Sequence, residues 1–210
     1  MAGIMQDSFG RVLDYVRISV TDRCNFRCVY CMPAEGIEWI PHEKILTYED
    51  MLFLCSILTD LGVRKIRFTG GEPFVRKGFV PFLESVKEAH PHLRIAVTTN
   101  GSLLEKWAER ISGLGLDSLN VSLDTLNAEK FLQTTRTGDL QRVLRGIDAV
   151  RQTIGVPVKL NSVVMRDFNF DEIAALVGFA AEKDATLRFI EFMPLHKDVW
   201  SQSQLVPAQE

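Results

Sequence analysis

Three cysteines within eight residues, Cys24, Cys28 and Cys31 in the run CNFRCVYC, carry the strongest chemical signal in the chain. Neighbours this crowded read as ligands rather than as disulfide partners. The fourth cysteine, Cys55, stands apart in a helical pattern, where it reads as a small apolar residue on a buried face. A tetrahedral zinc site would need one more donor; His42 is nearest, while His90, His92 and His196 lie farther along. A four-iron cluster needs no fourth protein ligand, because three thiolates hold three irons and the last iron stays open to an outside molecule. The spacing alone therefore leaves two chemistries: a zinc-binding interaction module, or an iron–sulfur catalyst with a vacant coordination site.

The elements that must position these thiols follow from periodicity. The cysteines come directly after the extended run YVRISV (15–20), at the C-terminal end of a strand. Further β-like runs are RKIRFTG (64–70), LRIAVTTN (93–100), DSLNVSLD (117–124), VPVKLNSVV (156–164) and LRFIEFMP (187–194). Helical spacing fills the gaps between them. Met51, Leu54, Cys55, Leu58 and Leu61 are in phase behind a Thr47–Asp50 capping box. A helix is expected over about 77–89, and another behind a Ser102–Glu105 capping pair with Leu104, Trp107, Ala108 and Ile111 on one face. Leu140, Val143, Leu144 and Ile147 mark the next, and Asn169 with Glu172 caps the last, over about 169–182.

Strand–helix alternation of this kind calls for an α/β fold with a parallel sheet and right-handed crossovers. Inside the strands, apolar and polar side chains alternate. Val16 and Ile18 oppose Tyr15, Arg17 and Ser19; Ile66 and Phe68 oppose Arg67 and Thr69; Val97 opposes Thr98. Leu119, Val121 and Leu123 oppose Asn120, Ser122 and Asp124, and Val158 with Leu160 opposes Lys159 and Asn161. With helices over the apolar faces, the polar faces must line an interior. The expected fold is a partial (β/α)6 TIM-like barrel, laterally open, around a cavity that needs a polar ligand. Residues 1–194 are expected to form this barrel; in 195–210 the periodicity fades, as in the truncated start of a further C-terminal region.

Bulk composition narrows the setting. Hydrophobic residues make up 46% and charged residues 24%, as in ordinary globular proteins. A net charge of -3 gives no basic footprint for a nucleic-acid partner, yet leaves room for a local cluster of cations around a small anion. No signal-peptide pattern and no apolar run of membrane-spanning length is visible, so no membrane partner and a cytoplasmic location are expected.

CNFRCVYC resembles the signature loop of the radical S-adenosylmethionine (SAM) superfamily, and FTGGEP (68–73) resembles its GGEP motif. In that motif two glycines would let backbone approach a ligand closely, and Glu72 would accept from the ligand's ammonium group; a plain turn closed by Pro73 is the simpler alternative. Within the superfamily, DSFGRVLDYVRISVTDRCNFRCVYCMP, KIRFTGGEPFVRK, TTNGSLL, LNVSLDTL, VKLNSVV and RFIEFMP are similar, in order, to the blocks of the molybdenum cofactor biosynthesis protein A family, the GTP 3',8-cyclases.

The resemblance implies a lyase that converts GTP to (8S)-3',8-cyclo-7,8-dihydroguanosine 5'-triphosphate, the first step of molybdenum cofactor biosynthesis. It implies a 4Fe-4S cluster on Cys24, Cys28 and Cys31, with SAM chelating the open iron and reductive cleavage of its sulfonium starting radical chemistry on the GTP ribose. SAM contacts fall on Tyr30, Gly71, Ser122 and Met193, and GTP contacts on Arg17, Arg67, Thr98 and Lys159. By residue type alone Met193 reads as core packing. No side chain is needed as acid or base for the first step, so none is assigned as catalytic. A reductant protein is the expected partner and a homodimer an expected assembly. Full-length members carry a second cluster in a C-terminal region that nothing here matches, so the chain reads as a fragment. A single-cluster enzyme similar to the 7-carboxy-7-deazaguanine synthases is the other enzymatic reading.

Overall fold

The computed structural model describes residues 5–153, 156–194 and 200–209. Six parallel strands, β1 (Tyr15–Ser19), β2 (Lys65–Thr69), β3 (Arg94–Thr99), β4 (Ser118–Ser122), β5 (Val158–Val164) and β6 (Thr186–Glu191), pair in chain order. Among the described residues, α-helices lie between successive strands, two of them between β4 and β5: α1 (Tyr48–Asp60), α2 (Phe79–Ala89), α3 (Leu104–Ser112), α4 (Ala128–Thr135), α5 (Leu140–Gln152) and α6 (Ile173–Glu182). β1 and β6 are not paired with each other, so the sheet is an open barrel segment, as expected.

The register fixes which side chains share the inner face. Arg17 stands beside Arg67; Thr98, Asn120 and Lys159 form a second row; Ser122, Asn161 and Arg188 form a third. The outer face carries Ile66, Phe68, Ile95, Val97, Leu119, Val121 and Leu160, each almost fully buried under the helices. Phe68 meets Phe79 and Phe82 of α2 edge-on, at centroid distances of 6.5 and 5.2 Å. Cys55 is fully buried in this layer, in line with its apolar reading.

Local signals and tertiary partners compete at the helix starts. Thr47 and Asp50 do form a capping box on α1. Ser102 does not cap α3: its hydroxyl donates to Asn100 Oδ1 at 2.7 Å and accepts from Asn25 at 2.9 Å, while Glu105 pairs with Arg145. Asn169 likewise does not cap; it is wholly buried, donating to the carbonyls of Asp124 and Val163 and accepting from Met165 N. Its supposed partner Glu172 accepts from Thr125, Leu126 N and Lys130 instead. α4, capped by Asn127, was not expected as a separate helix, because eight residues give too short a period to recognise.

Candidate active site

The cysteine loop begins where β1 ends. Val20 N donates to Thr69 O, and the chain then lies directly across the start of the GGEP turn, with Gly71 N bonded to Thr21 O at 2.7 Å and Glu72 N to Arg23 O at 2.8 Å. A Cβ on Gly70 would sit 2.4 Å from Thr21 O, and one on Gly71 2.3 Å from Arg23 O. The two glycines are required by this backbone-on-backbone approach, a reason that the motif alone did not supply. Glu72 also differs from expectation. It is completely buried and accepts from Thr99 Oγ1 (2.8 Å), Phe74 N (3.1 Å) and Asn100 N (2.6 Å), so it ties the end of β2 to the end of β3 rather than presenting an open acceptor. Burial pushes its carboxyl up to about 7.

Cys24 and Cys28 are half-buried and Cys31 is exposed, all three as free thiols. Burial raises each above the usual thiol range, most of all Cys28, whose neighbours Asp124, Cys24 and Cys31 add repulsion. A metal centre would replace those protons. Cys24 Sγ accepts from Phe26 N at 3.4 Å and from Asn100 Nδ2 at 3.8 Å. Among the described residues, no three His, Cys, Asp or Glu side chains converge closely enough to hold one metal ion. His42 sits exposed in the short turn His42–Lys44, and His196 lies outside the described residues. Among the described residues a single zinc ion finds no converging set of donors. A cluster, in which each thiolate takes its own iron, asks for no common point, and three free thiols on one loop, near enough to repel one another as thiolates, suit it.

Below the loop the inner face lines an open cavity of about 590 Å³, with Arg17 and Arg188 exposed in its wall. Arg17, Arg67, Thr98 and Lys159, all expected on the polar interior, line it together with Asn120 and Asn161. Arg67 is buried and donates to Thr98 Oγ1 (3.2 Å) and to Tyr15 OH (2.7 Å). Burial, with Arg188, Lys65 and Arg67 close by, pushes the Lys159 ammonium below the usual lysine range. The side-chain oxygens of Asn120 and Asn161 are buried without a hydrogen-bond partner. Buried acceptors without a donor and cations crowded against cations together describe a site shaped for a polar, anionic molecule.

Sequence reasoning left the roles of several lining residues unread, Arg188, Lys65 and Tyr15 among them. Arg188 continues the row of Ser122 and Asn161, but β6 was never sorted into faces. Lys65 lines the same wall at the start of β2, where Asp117 partly neutralises it. Tyr15, noted only as polar, accepts from both Arg67 and Arg17 and holds the two guanidinium groups together, which in turn draw its hydroxyl below the usual phenol range despite some burial.

Of the residues implied for SAM, Tyr30 hydrogen-bonds to Asp124 at the end of β4, and burial pushes Asp124 up to about 6. Ser122 sits at the inner, C-terminal end of that strand, and Gly71 lies beneath residues 21–23. Met193 is 53% exposed beyond β6, which overturns its reading as core packing. None of these four lines the cation-rich cavity, so the structure separates two neighbouring regions: one at the cysteine loop and strand ends, one deeper in the barrel.

The sequence profile of the radical SAM superfamily matches residues 18–180. The GTP 3',8-cyclase of Geobacter sulfurreducens is 47% identical over 204 residues, covering 97% of this chain and 63% of that protein. Molybdenum cofactor biosynthesis protein 1 of Drosophila melanogaster is 46% identical over 202 residues, covering 96% of this chain and 36% of that protein. The chain thus spans less than two thirds of the length of these relatives. In fold it is similar to Streptococcus suis SuiB bound to S-adenosylmethionine, with a TM-score of 0.69 at 20% identity over 84% of this chain and 38% of that one. Among the described residues no helix is long and apolar enough to cross a membrane. With the profile covering most of the barrel, and the cysteine loop and GGEP turn packed on each other at its rim, the chain belongs to the radical SAM superfamily.

Proposed function

We propose that this chain is the barrel portion of a GTP 3',8-cyclase of molybdenum cofactor biosynthesis. Cys24, Cys28 and Cys31 would hold the 4Fe-4S cluster; Tyr30, Gly71, Ser122 and Met193 would flank SAM; Arg17, Arg67, Thr98 and Lys159, with Arg188, would bind the triphosphate of GTP. When bound, the cluster and SAM supply one-electron reductive cleavage of a sulfonium bond, with the electron delivered by a separate reductant protein in the cytoplasm. The residues of the chain itself bind and orient. Tyr15 holds Arg17 and Arg67 side by side, so that two guanidinium groups face one phosphate group without reorganising. Thr98 fixes the second guanidinium from the far side. The helices over the outer face keep water out of the sheet, and the cysteine loop lies over the strand ends where a substrate in the cavity would present its ribose.

The observation that carries this reading is the cavity wall: Arg17, Arg67, Lys159 and Arg188 line one lumen, while the acid that neutralises neighbouring Lys65, Asp117, pairs with Arg94 as well. Calorimetry with GTP, GDP and guanosine tests it. Affinity should fall in that order, and Lys159→Ala should cost about tenfold or more for GTP while leaving guanosine unchanged. Equal affinity for guanosine and GTP would contradict the triphosphate assignment.

A further inference from the structure

The loop that carries the cysteines has few apolar anchors of its own. Phe26 is buried edge-on against Phe131 of α4 at 5.9 Å, and Met32 is buried at the far end. What holds the stretch between is the C-terminal end of α4 and the two residues after it, more than a hundred residues away in the chain. Arg136 Nη1 donates to Arg27 O at 2.9 Å and to Met32 O at 2.8 Å, bracketing Cys28 and Cys31. Thr137 Oγ1 donates to Asn25 O at 2.8 Å, next to Cys24. Arg27 N and Val29 N in turn donate to the carbonyls of Thr135 and Thr134 at 2.9 and 2.8 Å. Five bonds from four consecutive residues thus reach Asn25, Arg27, Val29 and Met32, the positions that alternate with the three thiols.

The conformation of Arg136 supports a dedicated role. It is one of two non-glycine residues with positive φ among the described residues, at 61°. The left-handed conformation costs free energy for a side chain bearing a Cβ, and glycine is the ordinary choice there. An arginine persists where its side chain does something glycine cannot, and here its guanidinium makes two charge-assisted bonds to main-chain carbonyls. Its backbone N–H closes α4 on Leu132 O, so the clamp is rigidly mounted on that helix.

We propose that Arg136 and Thr137 are positioning residues that hold the cysteine loop in its metal-binding shape before any metal arrives. The proposal rests on the assignment of Cys24, Cys28 and Cys31 as cluster ligands, and its test separates the two. Arg136→Gly removes the guanidinium while relieving the backbone, so the fold should survive; Thr137→Val exchanges the hydroxyl for a methyl of similar size, whereas Thr137→Ser keeps the hydroxyl. In the metal-free protein, Arg136→Gly should raise amide exchange at Arg27 and Val29 about tenfold or more, and even out the alkylation rates of the three thiols, with the melting temperature little changed. After anaerobic reconstitution with iron and sulfide it should lose its cluster several-fold faster than the wild type and shift the potential of what remains. Thr137→Val should show the same changes in smaller measure, and Thr137→Ser should restore wild-type behaviour. Wild-type exchange, alkylation and cluster retention in Arg136→Gly and Thr137→Val would overturn the proposal. Should Arg136→Gly fail to fold, identical behaviour of Thr137→Val and Thr137→Ser would overturn it equally. A wild-type chain that takes up no cluster would instead overturn the ligand assignment, and exchange and alkylation in the metal-free chain would still decide the clamp.

Discussion

Tyr15 shows how a cation site is assembled one side chain at a time. Its hydroxyl accepts from Arg17 at 3.3 Å and from Arg67 at 2.7 Å, so its own proton is left to donate into the cavity. Tyr15→Phe should weaken triphosphate binding about tenfold without altering the melting temperature appreciably, which titration calorimetry and thermal unfolding check together. Glu72 offers a second test at this scale. Its folded-state pKa of about 7 lies above the ordinary value of 4.5, so folding favours its protonated form. Stability from this group is full below pH of roughly 4.5 and is lost as pH rises toward about 7, with a slope of up to about 1.4 kcal/mol per unit. Metal-free Glu72→Gln should therefore show a flatter melting temperature across pH 5 to about 7 than the wild type; parallel profiles would contradict the burial argument. The crowding of Cys24, Cys28 and Cys31 was legible from spacing, and the shared inner face of Arg17, Arg67, Thr98 and Lys159 from alternation, because those patterns are local. The roles of Ser102, Asn169 and Glu72 were not, because each side chain bonds to a partner brought close only by the fold.

The elements were legible wherever hydrophobic period was long enough to count. Five of the six strands fall within the extended runs read from the sequence and β6 begins one residue ahead of its run, while α1, α2, α3, α5 and α6 fall where helices were expected. The boundary errors cluster around α4 and the turn before α6, where short helices carry weak periods and tertiary hydrogen bonds replace caps. Packing between elements adds constraints that no propensity scale contains. Gly146 lies in the middle of α5, where alanine would ordinarily gain about 1 kcal/mol. Here a Cβ would stand 2.9 Å from Gly101 O and 2.9 Å from Leu104 Cβ at the start of α3, neither of which can swing away. Gly146→Ala should therefore lower the melting temperature, and a rise would show that α3 and α5 are less closely packed than the structure has them. In the sheet, Leu119 is fully buried in the outer layer, and Leu119→Ala should cost about 2–5 kcal/mol in denaturant unfolding.

The whole molecule carries a net charge of -3, yet its cavity is lined by Arg17, Arg64, Lys65, Arg67, Arg94, Lys159 and Arg188. Local charge, not the net balance, governs a small anion enclosed by those walls, so GTP affinity should fall as salt rises from about 0.05 to 0.5 M despite the negative total. Calorimetry at several ionic strengths reads this, and salt-independent binding would place the nucleotide elsewhere. That cation cluster was visible in sequence only in part: alternation put Arg17, Arg67 and Lys159 inside, whereas Arg188 needed the β5–β6 register to join them. The open edge between β1 and β6 was expected from the strand count and is present. The most direct measurement is metal and sulfide analysis of the anaerobically reconstituted protein, alongside SAM cleavage after reduction. About four irons and four sulfides per chain, with 5'-deoxyadenosine formed by the wild type and neither cluster nor product in Cys28→Ala, is the expected result. Preferential uptake of one zinc, or undiminished cleavage in Cys28→Ala, would contradict it.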